Sequence, residues 1–265
     1  MRQQRKTELS ALMIFLALAV AGRALSQNTP PQLPQRTILW AWQRAEDLSF
    51  IDTNKFAVAY LACSVLVKSD RLQVTWRQQK LKVPEQALMM PVIRIDTERR
   101  GTADLSESRA EELASLVAKI ATRPRTSALQ IDFDAVETER PFYRRLLKLI
   151  RTKLPDNLAL SMTALASWCL FDDWLQDLPV DETVPMMFSL GADRQKLQHY
   201  FATGHDFLNK RCGNALGLSL EDPQINKLMI PLSKQRKIPV RVYMFTKTAW
   251  TRDKVEAVRT LLGAQ

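Results

Sequence analysis

Glycine and histidine are scarce in this chain, and the scarcity removes several chemistries at once. Only 7 glycines occur in 265 residues. None of them builds a G-x-G-x-x-G fingerprint or a P-loop, so cradling of a nucleotide phosphate by backbone amides is not indicated. The only two histidines, His199 and His205, lie in one stretch, HYFATGH, and read as surface residues. Without a Cys-x-x-Cys pair they are too few for a zinc site. No loop has EF-hand spacing. No resident metal or cofactor is therefore expected, although a cation held by several carboxylates stays open as a third option. Ser167 and Ser219 lack the G-x-S-x-G elbow of a nucleophilic serine. Basic residues are scattered rather than interleaved with aromatics, which argues against a nucleic-acid groove.

What remains is a globular composition, 46% hydrophobic and 25% charged, long enough for one large core or two small ones. The first 26 residues stand apart. Arg2, Arg5 and Lys6 form a basic start, Ala11 to Gly22 an apolar run too short for an ordinary membrane span, and Ala24-Leu25-Ser26 a set of small residues. This pattern predicts a signal peptide, residues 1–26, cleaved before Gln27, and an exported, periplasmic or secreted protein. The competing reading is an uncleaved anchor, through which alone the chain would meet a membrane. No lipobox cysteine is present. The whole chain carries +10, and the first 26 residues a net +3, which leaves +7 on the rest. Residues 27–36 form a Pro-rich linker, and residues 37–265 the folded domain.

Three cysteines, Cys63, Cys169 and Cys212, allow one bridge in an oxidising compartment. Cys63 lies in a hydrophobic strand-like run, which suits a buried free thiol. Cys169 and Cys212 each lie near a loop and are the preferred pair.

Strand-like apolar runs recur through the domain with amphipathic helical segments between many of them. They begin at Thr37, Phe56, Met89, Leu129, Leu158, Thr183, Asn214 and Val240, and the second continues into a hairpin with LQVTW. Helices are expected in SESRAEELASLVAKIAT, capped by Ser106, in RPFYRRLLKLIRTKL, in DDWLQDL, in RQKLQHYFAT and in TRDKVEAVRTLLGA. Eight strands alternating with helices point to an α/β fold, a (β/α)8 TIM-like barrel. An open doubly wound sheet is the competitor.

In such a barrel the working groups stand at the C-terminal ends of the strands. Those ends hold Trp40 and Trp42, with Glu46 and Asp47 beyond; Asp96; Asp132 and Asp134, with Glu137 and Glu139 beyond; Ser167 and Trp168; Glu221 and Asp222; and Tyr243 and Phe245. Period two puts Asp132 and Asp134 on one face, about 6.6 Å apart along the strand, with Phe133 turned outward. Two carboxylates in one confined mouth raise a pKa, an arrangement that glycosidases exploit. Asp132, Asp134 and Glu137 are the candidate catalytic residues. Trp40, Trp42, Asp96, Trp168, Glu221 and Tyr243 are the candidate carbohydrate-binding residues. The plainer alternative is that Arg94, on the preceding strand, simply neutralises the aspartates.

The runs LQIDFDAVETERPFYRRLLKLIRTKLP, LSMTALASWC, WLQDLPVDETVPMMFSLG and CGNALGLSLEDP together resemble a bacterial family known as domain of unknown function 3142, from about Thr37 to Thr246. The resemblance implies a barrel and no particular activity. A more distant likeness runs to the family 18 chitinases, whose fourth strand carries D-x-x-D-x-D-x-E. Asp132 and Asp134 match its last two aspartates, while Leu129 stands for the first and Val136 for the glutamate. Glu137 comes one residue late, and one residue along a strand reverses the side chain. The expected function is thus a glycoside-hydrolase-like barrel acting on or binding a carbohydrate. A non-catalytic barrel that binds a glycan or an envelope protein is the alternative.

Overall fold

The computed structural model describes residues 33, 37–98, 102–188 and 190–263. The expected signal peptide and all of the expected linker except Leu33 lie outside them. The chain divides into two units, residues 1–30 and 31–265, and the second holds every element below.

Its strands are β1 (Thr37–Ala41), β2 (Glu46–Asp47), β3 (Phe56–Val67), β4 (Leu72–Trp76), β5 (Leu81–Lys82), β6 (Met89–Thr97), β7 (Ala128–Asp132), β8 (Ala159–Leu165), β9 (Glu182–Met186), β10 (Ala215–Ser219) and β11 (Arg241–Phe245). Eight of them, β1, β3 and β6 to β11, run parallel in the order β1-β11-β10-β9-β8-β7-β6-β3, and β1 pairs with β3 to close the ring. The eight expected strands are these eight, and the fold is a TIM-like barrel. The hairpin is present too, with β4 antiparallel to the outer half of β3.

Six α-helices follow: α1 (Glu107–Ala121), α2 (Arg140–Lys153), α3 (Ala166–Phe171), α4 (Arg194–Ala202), α5 (Pro223–Lys234) and α6 (Arg252–Leu262). Ser106 caps α1 by accepting from the Arg109 amide at 3.2 Å, which satisfies one orphan donor of the first turn. One helical expectation needs correction, and one helix, α5, was not expected. DDWLQDL forms turns, and the helix in this connection is α3, immediately after β8. The helix α5 contains Pro231, which reads as a breaker, yet Pro223 sits in its first turn and Asp222 accepts from the Ile225 amide, so it starts well.

Packing divides into three apolar clusters. Two lie between barrel and helices, one centred on β6 to β8 with α1 and α2, the other on β1, β10 and β11 with α5 and α6. The third fills the barrel itself. There Ala57, Ala59, Ala128, Ala159 and Ala215 are small, and they leave room for Trp40 and Tyr243. Polar residues also face inward at the N-terminal end. Glu182 pairs with Arg241 and accepts from the hydroxyls of Tyr243 and Ser161. Gln130 continues the chain, donating to Ser161 at 3.1 Å and accepting from Trp40 Nε1 at 2.9 Å. Every buried polar atom in this line has a partner, which offsets the cost of removing it from water.

Cys169 on α3 is joined to Cys212, just before β10, with Cα atoms 5.9 Å apart. The 43-residue separation is worth about 4 kcal/mol on a chain-entropy estimate. Cys63 is buried, and burial pushes its thiol up to about 11.

Gly217 on β10 is where the barrel filling is tightest. A Cβ there would lie 2.9 Å from Trp40 Cη2 and 3.2 Å from the Pro185 carbonyl oxygen. Gly217→Ala is expected to displace the Trp40 indole, break its bond to Gln130 and lower stability by about 1–3 kcal/mol, read as the urea unfolding midpoint together with a change in tryptophan emission.

Candidate functional site

The C-terminal face of the barrel holds a cavity of about 430 Å³, within the usual size of a small-ligand site. Trp40 forms part of its floor, directly above the polar line. Trp42, Phe188 and Phe245 supply aromatic wall, and Asp132, Asp134, Arg94, Thr163, Ser167 and Asp193 supply polar lining. Phe188 and Phe245 stack on each other, centroids 5.4 Å apart and planes 12° from parallel.

Asp132 is the last residue of β7 and is buried. Thr163, on the neighbouring β8, donates to its Oδ1 at 2.7 Å. Burial first, then the charge of Asp134, pushes the Asp132 carboxyl up to about 6, against the pull of Thr163 and Arg94. Asp134, two residues on, is exposed on the rim. Its carboxyl is also raised, chiefly by the protein around it, with Arg94 pulling it back. Phe133 points outward and packs on Tyr143 of α2, centroids 5.0 Å apart. The two aspartates therefore share the cavity.

Arg94 stands beside Asp132 in the β6–β7 register but bonds elsewhere. Its Nε and Nη2 donate to Asp96 at 3.1 and 3.3 Å. It lowers both aspartates through space without forming an ion pair with either. Asp96 itself is exposed and outside the cavity lining.

Glu137 opens a short 3-10 turn after β7, is exposed, and does not line the cavity. Glu139 is folded back, accepting from the Val136 amide at 2.8 Å and from the Thr97 hydroxyl. Val136 is 60% exposed, so the position where the chitinase motif has its glutamate presents a methyl surface to solvent.

The remaining candidates divide. Trp42 lines the cavity, and its loop is clamped from below: Arg77, after β4, donates to the carbonyls of Ala41, Trp42 and Arg44. Glu46 is buried, pairing with Arg44 and accepting from the Trp250 amide at 2.8 Å. Trp168 packs edge-on against Trp174 in the outer core, centroids 4.8 Å apart. It follows Ser167 on α3, and one helical step of about 100° turns it from the cavity. Tyr243 lies one strand step below Phe245, fully buried against Glu182. Glu221 and Asp222 border a neighbouring hollow of about 390 Å³ that shares the Phe188–Phe245 wall. Burial would raise Glu221, but bonds from Thr246, the Lys247 amide and Ser219 outweigh it and hold the carboxyl low. Asp222 pairs with Arg194.

Thr163, Phe188 and Asp193 were not singled out from sequence. Thr163 carried one usable signal, being on the inward period of β8 two residues before its end. Phe188 lies beyond β9 in irregular chain and Asp193 in a 3-10 turn before α4, where period two no longer applies. Among the described residues no group of three or more His, Cys, Asp or Glu is arranged to hold a metal ion.

Fold and mouth together define a TIM-like barrel with an acidic, aromatic-walled cavity at the C-terminal ends of its strands. A family 18 chitinase from Pseudoalteromonas aurantia superposes with a TM-score of 0.57 at 10% identity, covering 85% of this chain and 100% of the chitinase chain. A family GH113 β-1,4-mannanase superposes with a TM-score of 0.50 at 9% identity, covering 85% and 96% of the two chains. At these identities the likeness is one of fold. Residues 85–199 match the family described as Domain of unknown function (DUF3142). The chain resembles that family, as its sequence suggested. No protein of curated function matches the sequence.

The raised Asp132 has a stability consequence of definite sign. Its proton is held more tightly in the folded chain than in the unfolded one, so its contribution is greatest below about pH 4. That contribution is lost as pH rises from the ordinary 3.8 through about 6. Asp132→Asn, which keeps the Oδ1 acceptor for Thr163, is expected to match the wild type near pH 4. By about pH 7.5 it should be more stable by up to roughly 2–3 kcal/mol. Urea unfolding of both proteins at the two pH values checks this; a difference that does not change with pH would show that Asp132 does not titrate in this way.

Proposed function

We propose that this chain is an exported, glycoside-hydrolase-like barrel that takes a carbohydrate into its mouth. Asp134, open to the cavity, exchanges a proton with a sugar oxygen. Asp132, buried beside it and held by Thr163, is kept high by that burial and by the charge of Asp134. The observation that carries this reading is the pair of aspartates with raised pKa opening into a cavity walled by Trp42, Phe188 and Phe245. Flat apolar faces suit the C–H faces of sugar rings, and a carboxyl raised above its ordinary range suits general acid–base work. The fold likeness to proteins described as a chitinase and a mannanase supports the same substrate class. Export is supported by the basic start and apolar run of the first 26 residues, and by a disulfide, which suits an oxidising compartment.

A second reading, a glycan-binding barrel without turnover, is favoured by one specific observation. Val136 occupies the glutamate position of the chitinase motif, and Glu137 stays outside the cavity. Glycan-array binding and a hydrolysis screen with wild type, Asp132→Asn and Asp134→Asn separate the two. The enzyme reading expects hydrolysis that falls about 10²–10⁴-fold in Asp134→Asn while binding persists. Binding without turnover in the wild type establishes the second reading. Neither binding nor turnover overturns the carbohydrate assignment.

A further inference from the structure

The opposite end of the barrel carries a surface of different chemistry. Strands β1, β3 and β11 begin here, and α5 and α6 end here, around a groove of about 850 Å³. Its charged lining is entirely cationic: Lys55, Lys234, Arg236, Lys237, Arg241 and Arg259. The three arginines are engaged, with Asp206, Glu182 and Glu256 respectively. The three lysines are exposed and form no ion pair with any described carboxylate. Lys234 at the end of α5 complements the helix dipole, but Lys55 and Lys237 lie in connecting loops and have no such role.

An apolar residue stands out among these cations. Ile238, next to Lys237, is 56% exposed. An exposed β-branched aliphatic side chain next to a lysine is disfavoured in bulk water and suited to the boundary between headgroups and acyl chains. The chain also enters the domain at this face, where Arg241 Nη2 donates to the Leu33 carbonyl at 2.9 Å. Leu33 follows the apolar run ending at Gly22 by 11 residues, a reach of at most about 40 Å. The mouth has the reverse character, with Asp132, Asp134 and Asp193 against a single arginine in its lining.

We propose that this N-terminal face of the barrel rests on an anionic phospholipid surface. Lys55, Lys234 and Lys237 meet the lipid phosphates, Ile238 enters the headgroup boundary, and the acidic mouth is held facing away. Attachment is then a property of the folded barrel, beyond any anchoring by the first 26 residues. Each lysine near an anionic leaflet contributes about fivefold in affinity, and about a hundredfold for three, screened by salt.

The test is flotation of the full chain with vesicles of phosphatidylglycerol and phosphatidylethanolamine, compared with vesicles of phosphatidylcholine alone. An environment-sensitive dye on Ile238→Cys reports the contact directly, since Cys63 is buried. The expected result is a blue shift of the dye on phosphatidylglycerol vesicles only. The shift should be lost at about 0.5 M salt and in Lys55→Gln/Lys234→Gln/Lys237→Gln. Ile238→Ser should weaken flotation several-fold without changing the unfolding midpoint. The proposal is overturned if the dye does not shift, if phosphatidylcholine serves equally well, or if the folded triple variant binds as the wild type does. Any of these would leave vesicle attachment to the first 26 residues alone.

Discussion

The buried carboxylate of Glu182 is the constraint on which the barrel interior depends. A charge at that depth is tolerated only with partners, and it has three: Arg241, Tyr243 and Ser161. Through Ser161 and Gln130 the same line of bonds reaches the Trp40 indole, and Trp40 is part of the cavity floor. One charge near the N-terminal end of the barrel thereby sets the position of an aromatic ring beneath the site. The neighbouring alanines and Gly217 are small for the same reason, since the ring fills the space they leave.

Above this floor the balance is reversed. Asp132 is buried with one hydroxyl partner and a like charge beside it, and Arg94 is drawn aside by Asp96. A structural carboxylate would be paired as Glu182 is. The contrast between a satisfied acid in the interior and an under-satisfied pair at the mouth separates scaffold from site. The clamp of Arg77 on the loop carrying Trp42, and the disulfide holding α3 beside the cavity, fix the rim to the barrel. The cavity at the C-terminal end of the strands has an acidic lining, and the groove at the opposite end a cationic one.

Much of this was legible in the residues. All eight barrel strands follow from apolar runs between turn signals, because parallel strands covered by helices are buried on both faces. Asp132 and Asp134 share the cavity because period two holds to the end of β7 and just beyond it. Residue spacing no longer sets side-chain direction where the backbone leaves a regular period. Trp168 lies one helical step past Ser167 and turns into the core; Glu137 lies in a 3-10 turn and faces solvent; Phe188 comes into the mouth from irregular chain and Asp193 from a 3-10 turn. The helix α5 was not expected and carries Pro231 in its interior, and DDWLQDL buries Trp174, Leu175 and Leu178 in the outer core from turns rather than from a helix.

The sequence by itself determined the strand count, the parallel barrel and the strand end at which the acids gather, since these depend on local periodicity and on burying apolar faces. Tertiary structure alone decided which acids converge. That Glu182 lies beneath the site, that Thr163 rather than Arg94 bonds Asp132, and that Glu137 stays outside are contacts between residues distant in sequence, created only when the sheet closes. Desolvation, which raises Asp132, comes from that closure and has no local signature.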